Sequence, residues 1–266
     1  MIEPQTPDPI QIFQRLFAEA RAKDEFEYCC ALLRIRGIEG PGWDPTGESF
    51  ALTQQLAALV QAPLDRRLAL RLSLFLYCHV TEMSDLYAVP ANMCRILQGE
   101  RYNLDPIPRL PPSPKLSPGD PRSEQIVKLA TLARAVGHPD LADLYETFFI
   151  RQVRNAFYHS DYALGTDSLN MRRGEFVNLD GIGSYSIPLS YLLPKLELGI
   201  NVGLALLGTM LDAGRSYTSN RIVKGRFTSN GSYEDVELTA GPSGLTGFRS
   251  PPEGQGATNA TLRGSR

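Results

Sequence analysis

The stretch Phe148-Phe149-Ile150-Arg151-Gln152-Val153-Arg154-Asn155-Ala156-Phe157-Tyr158-His159 sorts into two faces. Phe149, Val153 and Phe157 recur every four residues and make one apolar stripe, the pattern of a helix with one buried side. Arg151, Asn155 and His159 recur at the same interval, offset by two residues. At about 100° per residue they lie on roughly the opposite side. Arg154 stands at the edge of that polar face. Ser160-Asp161 is expected to end the helix and leave His159 at an exposed terminus. A helix with one dry side needs other helices to cover it, so the stretch predicts a helical bundle.

Working back along the chain, His138-Pro139 begins this helix, which is expected to run unbroken from Pro139 to His159, and Asp120-Pro121 begins the one before it, stopped by Gly137. Seven prolines between Pro106 and Pro121 predict an extended surface loop, because proline removes an amide donor and clashes with the preceding turn. Further back, Asp8-Pro9 is a cap followed by proline, and Phe13, Leu16, Phe17 and Ala20 follow at helical spacing. Asp24 opens a second helix with Phe26, Cys29, Cys30 and Leu33, stopped by Gly37. Trp43 lies in the loop that follows. Ser49 caps a third helix, which Pro63 ends while starting a leucine-dense run from Leu64 to Val89. A shorter helix from Ala91 to Gln98 ends at Gly99.

Working forward, residues 168–180 predict a β-hairpin turning near Arg173-Gly174. Leu189 to Leu211 predicts an apolar core helix, because its uncharged part, Leu198 to Leu211, is too short to span a bilayer. Gly199 and Gly203 within it fit close approach to a neighbouring helix. Residues 214–240 predict a second hairpin, with Arg221 to Thr228 and Tyr233 to Thr239 as strands about Asn230-Gly231. From Gly241 to Arg266 the Gly, Pro, Ser and Thr content predicts a disordered tail. The fold class expected is therefore mainly α, with one or two small hairpins: a helical domain over 1–213, an extension over 214–240 and a tail.

Among the 266 residues, 42% are hydrophobic and 21% charged, which suits a globular chain. Lys+Arg 27 against Asp+Glu 29 leaves a net charge of −2, which excludes an overall basic coat but not a local basic patch. Cys29, Cys30, Cys78 and Cys94 form no C-x-x-C pair, so neither a zinc ribbon nor a thioredoxin-type motif is available. Buried free thiols are expected. With no basic and apolar leader pattern at Met1, the expected location is cytoplasmic.

Arg154-Asn155-Ala156-Phe157-Tyr158-His159 resembles the R-x(4–6)-H motif of HEPN ribonucleases (higher eukaryotes and prokaryotes nucleotide-binding domains). That family favours a polar residue, often Asn, directly after the Arg, and places the motif late in an all-α bundle. The resemblance is specific over about residues 144–164 and architectural over the first hundred. It implies a HEPN-like bundle and a metal-independent endoribonuclease without a cofactor. Attack of a 2′-OH on the adjacent phosphate would leave a 2′,3′-cyclic phosphate. It further implies RNA as substrate, a bacterial toxin or defence role, a cognate antitoxin or regulator, and a symmetric homodimer with paired motifs. The alternative it implies is a non-catalytic module that binds a nucleotide, an RNA or a protein partner.

The chemistry suits the residue types. Imidazole titrates near neutral pH and serves as acid or base. Guanidinium donors fit the charge that builds on phosphate. Arg154, Asn155 and His159 are thus the candidate catalytic residues, and Arg151, Tyr158, Arg172 and Arg173 candidate RNA contacts. Each has a plainer reading: solvated charges on a wet helix face, a solvated turn at Arg172-Arg173, and packing for Tyr158 and Tyr162. Cys78, His79, Glu82 and Cys94 do not make a convincing metal set, since three or four ligands must converge. His79, Glu82 and Asn92 form a second possible polar cluster near the motif. On a regular helix Arg154 and His159 stand about 140° apart, so one chain alone presents them poorly to a single phosphate.

Overall fold

The computed structural model describes residues 8–34, 45–107, 121–172, 176–179, 181–227 and 231–252. Most of these are helical. Trp43, Arg173 and Gly174, the Pro-rich stretch from residue 108 to 120 and residues 253–266 lie outside the described residues.

Helix α1 (Pro9–Lys23) starts where Asp8 accepts a hydrogen bond from the Ile10 amide, and buries Phe13, Leu16, Phe17 and Ala20. In α2 (Glu25–Leu33) the Asp24 carboxylate accepts from the Glu27 amide. This helix ends at Arg34, which takes a left-handed conformation (φ 50°), before Gly37 is reached. Helix α3 (Pro45–Val60) begins four residues ahead of the expected cap, so Ser49 is interior, and its carbonyl accepts from the Thr53 hydroxyl. Helix α4 (Arg66–Glu82) is opened by Asp65, not Pro63, because Asp65 supplies a carboxylate to the Arg67 and Leu68 amides.

The leucine-dense run does not continue to Val89. It breaks at Met83, in extended backbone, and α5 (Asp85–Leu97) runs straight through Pro90. Proline at that position deprives the Leu86 carbonyl of its helical donor. The buried Tyr145 hydroxyl hydrogen-bonds to that carbonyl instead, which explains how a proline sits inside a buried helix. Helices α6 (Pro121–Ala135), α7 (Pro139–Phe148), α8 (Arg151–Tyr158) and α9 (Leu189–Arg215) follow.

Helix α9 is the core of the bundle and lies against α1, α4 and α7. Its 27 residues exceed the uncharged run, and among the described residues it is the one helix long and apolar enough to cross a membrane by length and composition. Here Leu192, Leu196, Val202 and Leu206 are buried within the bundle. A Cβ at Gly199 would lie 2.9 Å from the Tyr77 ring, and one at Gly203 would lie 2.5 Å from Val80 Cγ1. The two glycines therefore let α4 close onto α9, as their spacing suggested.

The expected hairpin over 168–180 does not form. Strand β2 (Ser168–Met171) pairs antiparallel with β1 (Tyr162–Leu164) and with β5 (Ser186–Pro188), while β3 (Val177–Leu179) pairs with β4 (Ile182–Ser184). Leu169 and Met171 alternate inward, and the register sets Leu164 and Ile187 beside Leu169, which buries that face. Near the C-terminus, β6 (Arg221–Gly225) pairs with β7 (Glu234–Gly241), and β7 with β8 (Gly244–Arg249). The chain after Gly241 is thus not a disordered tail as far as residue 252. Phe248 explains why: its ring lies 5.1 Å from Phe26 and 5.8 Å from Phe227, an aromatic contact that low overall hydrophobicity conceals.

Candidate functional site

The helix expected from Pro139 through His159 is two helices. Phe148 and Ile150 are both buried. Two residues apart on a helix they would point about 200° apart. Extended backbone at Phe149 (ψ 122°) and Ile150 (ψ 97°) turns both inward. The break strands a carbonyl and an amide in the core, and one side chain satisfies both. The Tyr77 hydroxyl donates to the Phe148 carbonyl (3.1 Å) and accepts from the Ile150 amide (2.8 Å). Because Tyr77 also sits against Gly199, the start of α8 is keyed to both α4 and α9.

From that anchor α8 runs with Val153 and Ala156 buried. Phe157 lies 6.2 Å from Phe75 of α4 and stacks on Tyr162 at 5.6 Å, so Tyr162 serves packing. The helix stops where the sequence reading places its end. His159 is the C-cap, Ser160 is left-handed (φ 55°), its amide donates to Phe157 O (3.1 Å), and the Asp161 amide donates to Ala156 O (2.8 Å). This is a Schellman closure with serine where glycine is usual. It leaves His159 exposed, and among the described residues its ring has no hydrogen-bond partner.

Arg154 is held firmly. Its Nε and Nη2 donate to Glu82 on α4, and its Nη1 donates to Asn155 Oδ1 (2.8 Å). Its guanidinium carbon lies 5.7 Å from the centre of the Tyr158 ring, which is 48% exposed. Below this pair Cys78 is fully buried, and burial pushes its thiol up to about 12, opposed by Arg154 and reinforced by Glu82. Asn155 and His159 are four residues apart and share a face, so Asn155 connects the Arg154 guanidinium to the histidine side of the helix. Arg154 and His159 remain about 140° apart, separated by roughly 7–8 Å along the axis.

The other sequence candidates divide. Arg151 is exposed beside the motif. Arg172 is brought to the end of α8: its amide donates to Asp161 O (3.0 Å) and its Nη1 lies 3.4 Å from Asp161 Oδ1. Arg173 lies outside the described residues. Of the second polar cluster only Glu82 joins the site. His79 Nε2 is 3.4 Å from Ser49 O on α3, and Asn92 is engaged with the backbone of Asn103 through both amide atoms (2.9 and 3.0 Å). The signal that separates them is the α4 stripe Arg67, Arg71, Phe75, Cys78 and Glu82, spaced three or four apart, which faces α8. Among the described residues no group of three or more His, Cys, Asp or Glu is placed to hold a metal ion. A concavity of about 680 Å³ beside Arg21, Glu25 and Asp212 is lined by no residue of the motif.

This arrangement provides a fixed cation, an amide that links it to the histidine face, and an exposed imidazole. Together they suit proton transfer and charge stabilisation at a phosphodiester. Comparison with protein-family models, curated proteins and solved structures gives no match for this chain.

Proposed function

We propose that this chain is a metal-independent endoribonuclease with a HEPN-like bundle, acting as a bacterial toxin or defence protein. The observation that carries the reading is the α8 terminus: Arg154 fixed by Glu82 and Asn155, and His159 exposed at a closed helix end. In the reaction His159 removes the 2′-OH proton, the 2′-oxygen bonds to phosphorus as the bond from phosphorus to the 5′-oxygen breaks, the leaving 5′-oxygen takes a proton from solvent, and the imidazolium returns its own to solvent. The products are a 2′,3′-cyclic phosphate and a 5′-hydroxyl end. Arg154 stabilises the added charge on the phosphoryl oxygens, and Asn155 orients the group between them. Arg151, Tyr158 and Arg172 contact the strand, and cytoplasmic RNA is the substrate.

The 140° separation supports a symmetric homodimer, in which one chain's Arg154 serves the phosphate at which the other chain's His159 acts. The test is incubation of purified protein with mixed RNA in EDTA, followed by analysis of product ends. Cyclic-phosphate ends that vanish in both His159→Ala and Arg154→Ala, each by a factor of about 10² or more, support the reading. Mixing the two inactive chains should recover part of the activity. Metal-dependent cleavage, or full activity in both variants, refutes it.

One observation favours a second reading. Glu82 already compensates Arg154, as it would in a non-catalytic module that binds a nucleotide, an RNA, or a protein such as an antitoxin or regulator. RNA binding without product formation selects that reading.

A further inference from the structure

Two contacts set the register of α4 against α8 and the strand after it. Phe75 meets Phe157, and the Arg67 guanidinium lies 3.4 Å from the Leu164 carbonyl. Glu82 meets Arg154 further on. As numbers fall along α4 they rise along α8, so the two run antiparallel. Arg71 lies midway between Arg67 and Phe75 on the stripe that faces α8. The chain opposite that interval runs from Phe157 to Leu164 and contains His159. Arg71 is therefore one helical turn beyond Phe75, toward the end of α8 that closes at His159, whose side chain, two residues past Phe157, leaves the helix on the side away from α4.

The carboxylates on this face are already taken up. Glu82 pairs with Arg154, Asp161 with Arg172, Asp167 with Arg66 (3.4 Å), and Asp65 caps α4. Arg71 is exposed, and among the described residues it has neither an ion pair nor a hydrogen bond; Arg67 has only a carbonyl. An acidic chain thus keeps an uncompensated cation beside the motif. Arg67 and Arg71 are about 6 Å apart along the helix axis, a spacing that suits consecutive phosphates of an extended strand.

We propose that Arg71, with Arg67 one turn back, binds the phosphates flanking the scissile one, so that single-stranded RNA crosses the closed end of α8 from His159 to the α4 arginines. This rests on the ribonuclease reading and adds a binding track to it. Arg71 does not touch the reacting atoms, so its loss acts on binding.

The experiment measures binding of a labelled single-stranded RNA oligomer to the His159→Ala chain across a salt series. Arg71→Ala in that background should weaken binding several-fold and lower the slope of log affinity against log salt by about 0.7, the release expected for one phosphate contact on a single strand. Arg71→Lys should restore the slope, and Arg134→Ala on α6, an arginine paired with Glu146 and Asp143, should leave it unchanged. In otherwise native protein Arg71→Ala should raise KM with kcat preserved. RNA binding with an unaltered slope in Arg71→Ala overturns the track alone. A parent chain that neither binds nor cuts RNA overturns both the track and the ribonuclease reading.

Discussion

Tyr77→Phe isolates the contact that holds the motif helix in place. The ring stays, so the packing against Gly199 and the core is kept, and only the hydroxyl is lost. That oxygen is the partner of two buried backbone groups, the Phe148 carbonyl and the Ile150 amide. Tyr77 is 0% exposed, so water has no ready route to replace it. Leaving a buried donor or acceptor unsatisfied costs about 1–3 kcal/mol each, so the substitution should cost roughly 2–6 kcal/mol. Urea denaturation should show a lower midpoint at an unchanged slope, since little buried surface changes. If the ribonuclease reading holds, cleavage should fall about 10- to 100-fold as the start of α8 loosens, while the salt dependence of RNA binding stays the same. A stability loss below about 0.5 kcal/mol would mean that the break between α7 and α8 does not depend on Tyr77, and the account of how the site is positioned would fail.

Ser160→Gly should stabilise the protein by about 0.5–1 kcal/mol, because the left-handed conformation at φ 55° strains serine and not glycine; a lower melting temperature would contradict this. Truncation after Gly241 should cost about 2–4 kcal/mol, since it removes Phe248 from Phe26 and leaves β7 with an open edge; an unchanged denaturation midpoint would restore the disordered-tail reading. Burial raises the thiols of Cys29, Cys78 and Cys94 to about 12 from an ordinary 9, so they stay protonated in the fold while unfolded chains ionise. Stability should therefore fall as pH rises above 9 and go on falling until the folded values are reached, because the unfolded chain releases these protons first. Thiolate absorbance should appear only with unfolding, and a native chain that reacts readily with a thiol reagent would show that these cysteines are accessible.

The fold was legible where side-chain spacing alone decides the outcome. The caps at Asp8 and Asp24 and the Phe13-Leu16-Phe17-Ala20 stripe can be read from local pattern, because each depends on neighbours a few residues away, and the Gly199–Gly203 spacing signals a close approach without naming Tyr77 and Val80 as what approaches. It was illegible where a distant partner overrides the local signal. Pro90 reads as a boundary until Tyr145 is known to satisfy Leu86, and Phe149-Ile150 reads as helix until Tyr77 is known to bridge the break. Ser168–Met171 reads as half of a hairpin with the strand that follows it, but its inward Leu169 lies between Leu164 of the strand before it and Ile187 from beyond the next strand pair.

The candidate site divides along the same line. Asn155, His159 and the closure at Ser160 follow from the helical period and a turn signal, so a single short segment contains them. What the segment does not contain is the setting of Arg154. Its charge is meaningful only beside Glu82, which lies 72 residues away and is brought there because α4 closes on α9 through two glycines. That closure also sets Arg67 at the Leu164 carbonyl and Phe75 against Phe157, past the end of α8. The small residues on the most apolar helix thereby fix which charges stand together on the wet face. Widening the Gly199 contact with alanine should disturb Tyr77 first and Arg154 through it, although neither residue is near Gly199 in sequence.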